Sequence, residues 1–205
     1  MEIFSKSYIK EYFKRNKKLF LISLLFFIIS FLLGVLVSFI MTGNNHGLIS
    51  SAIFNGKHKI TLDSLLVDSL GLFIHNFSVD LGTLILGLLF SIVSLILVCM
   101  NAFMIGMPFG QDFLFAFFSI VPHGIFEYTA SLFALVGAFL FTIIEIDIIK
   151  SFRDKDKSVS DVITEDKIKF KDILLSAIFM TILLVISALI EGNITPRIVM
   201  WFFGG

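Results

Sequence analysis

The sequence predicts an all-α, polytopic transmembrane helix bundle of about five spans, since about 20 apolar residues cross a bilayer. Three observations carry this. The 205 residues are 57% hydrophobic with 26 Phe, and the mean hydropathy is +0.98. The 32 charges are crowded, with eight in 1–18 and thirteen in 150–172, leaving eleven for the other 164 positions. Between these clusters lie apolar runs long enough to cross a membrane. The pattern excludes an ordinary soluble enzyme, and the zero net charge gives no basis for nucleic-acid binding. The single Cys99 sits in an apolar run and excludes an internal disulfide framework or a cysteine-rich zinc site.

The first span is 19–41. Lys6, Lys10, Lys14, Arg15, Lys17 and Lys18 precede it, so 1–18 reads as a cytoplasmic basic segment. The run is too long for a signal-peptide core and lacks a cleavage pattern. From 42 to 76 the chain is expected to form an extracytoplasmic loop followed by an amphipathic helix along the outer interface. There Leu62, Leu66, Leu70, Phe73 and Phe77 recur at helical spacing, with Asp63, Asp68 and His75 elsewhere on the wheel.

The stretch 81–111 carries no charge, is too long for one span and is short for two. A turn at Asn101 would divide it into spans at about 77–99 and 102–121, and Pro122-His123-Gly124 would separate a fourth at 125–149. A re-entrant 102–149 hairpin keeps the same parity and stays open as an alternative. Residues 150–172 form a charged loop with seven Lys/Arg, expected to be cytoplasmic because the positive-inside rule counts bases and largely ignores acids. A fifth span, 173–190, then places 192–205 outside as a tail in which Trp201, Phe202 and Phe203 suit an interfacial anchor. The whole chain is thus one transmembrane domain of a multi-pass cell-membrane protein.

Small residues recur at four-residue spacing in Ser30-Gly34-Ser38, Thr83-Gly87-Ser91, Gly106-Gly110 and Ala130-Ala134-Ala138. Lipid is as apolar as leucine, so helices associate where backbones approach closely, and these rows are expected to pack the chain's own helices or a homo-oligomer seam.

Ionisable groups inside the membrane are costly and begin as functional candidates. His123 and Glu127 lie four apart in PHGIFE, one turn from each other on a helix. Either they pair and hold the 121–124 turn at an outer helix end, or they bind a partner protein, a lipid headgroup or an ion. Metal-dependent hydrolysis would need a third ligand and an open position. No HExxH motif occurs, so neither a metal nor a cofactor is called for, although His75 or Asp112 would be candidates to complete a set. Asp112, after Gly110, would fall in the third span. His75 and Asn76 mark the entry to the second and are explained by an amphipathic boundary.

FIHNFSVDLGTLILG, the Asn101 turn and PHGIFEYTA together resemble the stage II sporulation protein M family of integral membrane proteins. Pro122, His123, Gly124, Glu127 and Ala130 match that family's PHG-x-x-E-x-x-A signature, and Asn76 fits its Asn-rich segment, over roughly 15–195. Asn101-Ala102 stands in place of the family's Asn-Gly, and Tyr128 in place of a common Leu. The resemblance implies a non-enzymatic membrane anchor and scaffold that recruits cell-envelope protein partners, in spore formers the peptidoglycan-degrading ones of engulfment. The alternative from the residues is a small transporter, lipid translocase or channel with a polar path through Asp112, His123 and Glu127, because broken helices often frame midplane sites.

Overall fold

A computed structural model describes residues 2–43, 68–152 and 158–203. The chain is 94% helical with no strand among the described residues, and five helices are long and apolar enough to span a membrane. A 3-10 turn (Glu2–Phe4) leads into α1 (Lys6–Thr42); α2 (Ser69–Ile85) continues through a second 3-10 turn (Leu86–Leu89); α3 (Ile92–Gln111) and α4 (Phe113–Ser151) follow. A short α5 (Val159–Glu165) precedes α6 (Lys167–Asn193), and α7 (Thr195–Phe203) closes the chain.

The number of spans agrees with the sequence expectation, but their boundaries differ. The second span starts at Ser69, capped by the Asp68 carboxylate, which accepts from the amides of Leu70 and Gly71 at 3.1 Å each. Leu70, Phe73 and Phe77 therefore belong to a spanning helix rather than to a separate interfacial one, and the remainder of that expected helix lies outside the described residues. The expected turn at Asn101 is absent: Asn101 sits inside α3, and the break comes at Phe90-Ser91, both left-handed with φ of 54° and 53°. Side chains hold this corner. Ser94 Oγ donates to the Thr83 carbonyl at 2.6 Å, and the hydroxyls of Ser91 and Thr142 share a hydrogen bond. Asn-Ala makes no backbone demand that would open a helix in lipid, where every N–H and C=O must be satisfied internally.

The expected break at Pro122-His123-Gly124 is likewise absent. α4 runs unbroken through Pro122, and the chain instead turns at Asp112, whose extended backbone (φ −148°, ψ 91°) joins α3 to α4. Residues 102–149 are therefore the end of one spanning helix and most of another, not a re-entrant hairpin. The charged 150–172 region is mostly helical: α5 starts with a capping box between Ser158 and Asp161, and α6 is already under way at Lys167. Arg153, Lys155 and Lys157 lie outside the described residues. The tail holds α7, with Trp201 79% exposed.

The small-residue rows pack the chain's own helices. A Cβ on Gly34 would strike the Phe103 carbonyl, and one on Gly106 the Phe31 carbonyl, so α1 and α3 meet backbone to backbone. Thr83-Gly87-Ser91 lies along α4, where a Cβ on Gly87 would come within 2.5 Å of Ala138 Cα. α4 is the central helix, and Ala130, Ala134 and Ala138 have no exposed surface. Against it α6 packs Leu175, Met180 and Leu184, and α1 adds Tyr12, whose hydroxyl shares a 2.7 Å hydrogen bond with Ser176. At this end Asp172 accepts from Tyr8 Oη (2.9 Å), Arg15 Nε (3.1 Å) and Nη2 (2.7 Å), and Asn16 Nδ2 (2.8 Å).

Candidate functional site: a polar pocket between three spans

α4 places His123 and Glu127 one turn apart on a face turned towards α6. His123 is buried, and its ring nitrogen Nδ1 lies 3.3 Å from Thr195 Oγ1 at the start of α7. Its Nε2 faces Glu191 Oε1 at 4.0 Å. Ser187 Oγ donates to the His123 carbonyl at 3.1 Å. This bond ties α6 to α4 one turn below Glu191. His123 therefore does not hold a turn at 121–124; it is a crosslink among α4, α6 and α7. Gly124 fits beneath the Tyr128 ring, since a Cβ there would come within 2.6 Å of that ring.

α2 supplies the opposite wall. His75, Asn76, Val79 and Asp80 line a small pocket of about 50 Å³ with Asn101 of α3 and Glu127 and Ser131 of α4. That is room for about three waters at ~15 Å³ each. Asp80 is only 3% exposed. Its Oδ1 accepts from Ser131 Oγ at 2.8 Å, while its Oδ2 is buried with no hydrogen-bond partner. An unpaired buried carboxylate oxygen is expensive in low dielectric, so this atom marks the pocket as a place built around something more than packing.

Of the residues singled out from sequence, His75, Asn76, Asn101 and Glu127 converge on this pocket, and His123 adjoins it through Glu127. Asp112 does not. Its carboxylate caps α4 by accepting from the Phe115 amide at 3.1 Å, beside Gln111 and Phe39. Pro122 lies within α4 and supplies no ligand. Two members carried no site signal in sequence: Asp80, which reads as a span-boundary residue, and Glu191, which reads as the end of the fifth span. Glu191 stands 64 positions from Glu127, so only the folded bundle brings them together. The ligand atoms of His123, Glu127 and Glu191 all lie within 4.8 Å of one another, the one such His/Cys/Asp/Glu group among the described residues.

A second polar cluster lies at the opposite end, where Lys169 Nζ bridges Asp147 Oδ2 (2.7 Å) and Asp166 Oδ1 (2.6 Å). These part-buried pairs tie α4 to α6 and to the residue that precedes it, as structural crosslinks.

The family model for stage II sporulation protein M matches residues 23–196. The match takes in the whole pocket, from His75 to Glu191. No curated protein and no solved structure matches the chain.

Proposed function

The chain belongs to the stage II sporulation protein M family, and from that premise we propose that it is a non-enzymatic membrane organiser that presents a fixed outer surface to cell-envelope proteins. The observation that carries this reading is a closed floor beneath the polar pocket. Below Asp80 and Ser131 the bundle is filled by Leu84, Phe133, Ala134, Met180 and Leu184, none more than 5% exposed. A conduit needs polar groups or water on both sides of its binding site. Here the pocket and the Asp172 cluster are separated by close-packed side chains, which favours a static platform. In this reading Lys/Arg-rich 1–18 and 150–172 face the cytoplasm. The start of α4 and the end of α6 then meet α7 at the outer interface, where Trp201 and Phe202 anchor the platform in lipid.

The transporter reading loses Asp112 from its path but keeps a specific observation in its favour: three ionisable side chains, His75, Asp80 and Glu127, line one membrane-embedded space, and Glu191 stands beside Glu127. The two readings separate in one pair of experiments. A photo-crosslinking residue at Trp201, activated in native membranes, gives discrete adducts with envelope proteins if the chain is an organiser and only lipid adducts if it is not. Purified chain in sealed vesicles carries neither protons nor lipids across the bilayer in the organiser reading. Flux abolished by Glu127→Gln would establish the carrier instead.

A further inference from the structure

We propose that His123, Glu127 and Glu191 bind a divalent transition-metal cation, zinc foremost, with a water molecule in the fourth position. The inference goes beyond the organiser reading and holds for a platform or a carrier alike.

The ligand types come first. One imidazole nitrogen and two carboxylate oxygens form a borderline N/O set, which suits Zn²⁺, Fe²⁺ or Mn²⁺ and not a soft ion such as Cu⁺. Zinc bonds to such atoms run about 2.0–2.2 Å, so two ligands of one tetrahedral ion stand ~3.3–3.6 Å apart. The three ligand atoms lie within 4.8 Å of one another, and His123 Nε2 and Glu191 Oε1 are at 4.0 Å. That separation is too long for a hydrogen bond and about half an ångström wider than a tetrahedral zinc requires. Small rotations of the two Glu side chains bring the set to bonding distance.

The supports of His123 come next. A metal-bound histidine ordinarily donates its second ring N–H to a fixed acceptor, which sets tautomer and ring plane. Thr195 Oγ1, 3.3 Å from Nδ1, is placed to be that acceptor in the metal-bound state, in which the Nε2 lone pair would face the carboxylates. The Ser187 bond to the His123 carbonyl fixes the backbone of the same residue. His123 is thus held at two points, and neither uses Nε2.

Charge supplies the independent argument. Glu127 shares its pocket with Asp80, which is 3% exposed and whose Oδ2 has no hydrogen-bond partner. Glu191 stands on the other side of Glu127. Three carboxylates therefore face one another across the outer part of the bundle. Among the described residues, no Lys or Arg lines this pocket or belongs to the trio. Burying such a set is costly unless a cation neutralises it. His75 is exposed where the pocket meets the surface and lines it together with Glu127. Asn76, Asn101 and Ser131 line the remainder and can hold metal-bound water within the ~50 Å³. A bound ion would clamp α4 to α6, with Asp80 of α2 as the outer-shell acceptor for a water on the metal.

The test uses purified full-length chain in detergent, stripped with chelator, reloaded with ZnCl₂ and desalted. Elemental analysis is expected to give one zinc per chain, and CoCl₂ loading to give the visible absorption of four-coordinate Co²⁺ with nitrogen and oxygen ligands. Glu127→Gln and Glu191→Gln each keep the side-chain shape and are expected to weaken zinc binding at least ~10-fold. Thr195→Val, which leaves all ligands in place, is expected to weaken it by a smaller factor. Asp112→Asn, remote from the site, leaves binding unchanged. Thermal unfolding of each variant without metal reports whether it folds. Zinc is expected to raise the midpoint of the wild-type chain and not that of Glu191→Gln. The proposal is overturned if well-folded wild-type chain retains no Zn²⁺, Mn²⁺ or Co²⁺, or if both Gln variants retain as much zinc as wild type.

Discussion

Replacing Asp172 by alanine removes the acceptor on which α1 and α6 converge. Its carboxylate is 2% exposed as a residue and takes four hydrogen bonds, two from Arg15 and one each from Tyr8 and Asn16. Removing one partner of a fully buried ion pair costs about 3–5 kcal/mol, because the survivor keeps its desolvation penalty. Two features reduce that figure. The Arg15 side chain is 34% exposed and recovers water when released. Asn16 Nδ2 keeps a second acceptor in the Tyr12 carbonyl at 3.0 Å. Tyr8 loses its acceptor and Asn16 one of its two, at about 1–1.5 kcal/mol each. The expected destabilisation of Asp172→Ala is therefore about 3 kcal/mol, a roughly 100-fold change in the folding equilibrium. Asp172→Asn keeps an acceptor oxygen without the charge and should cost about half as much. Equilibrium unfolding in mixed dodecyl maltoside and SDS micelles, followed by circular dichroism, measures both. With Arg15→Gln, the double-mutant cycle should return a coupling of about 1–2 kcal/mol. A loss below about 0.5 kcal/mol for Asp172→Ala would place this carboxylate among ordinary surface residues and refute the packing of α1 on α6.

The seam between α1 and α3 predicts that Gly106→Leu lowers stability by about 1–3 kcal/mol in the same unfolding assay. Gly82→Ala, where added atoms meet open space, should stay within about 0.5 kcal/mol. Ser131→Ala strips Asp80 of its one hydrogen-bond donor and is expected to cost about 1–3 kcal/mol; an unchanged midpoint would mean that water or an ion already satisfies both oxygens. For orientation, cysteines at Ser5 and Ser158 in a Cys99→Ala background should react with impermeant maleimide only in inside-out vesicles, and cysteines at Gly43 and Asn193 only in intact cells. Labelling of positions 43 and 158 from one side would remove the proposed topology.

How much of this was readable beforehand divides by the range of the interaction. Hydrocarbon thickness is a length requirement on consecutive residues, so five crossings could be counted from apolar runs alone. The small-residue rows were also legible, because a four-residue repeat places them on one helix face whatever the helix meets. Turn positions were not. Phe90-Ser91 carries no glycine or proline, and its left-handed backbone is held by Ser94, Thr83 and Thr142 from both sides of the corner. Conversely, Asn101 and Pro122 look like punctuation but lie within helices, since a helix in lipid has no water to satisfy the groups a break would free.

The sequence by itself determined that the chain is a membrane-embedded helical protein and that His123 and Glu127 share one helix face, because composition and helical periodicity are local properties. Only the tertiary structure decided which carboxylate meets them. Glu191 and Asp80 join that face from other spans, while Asp112, nearer in sequence, caps a helix elsewhere. The physical reason is that helix order and crossing geometry are set by backbone contacts such as Gly34 on Phe103 and Gly87 on Ala138. Those contacts join residues 51 or more positions apart, beyond the reach of any period read along the chain.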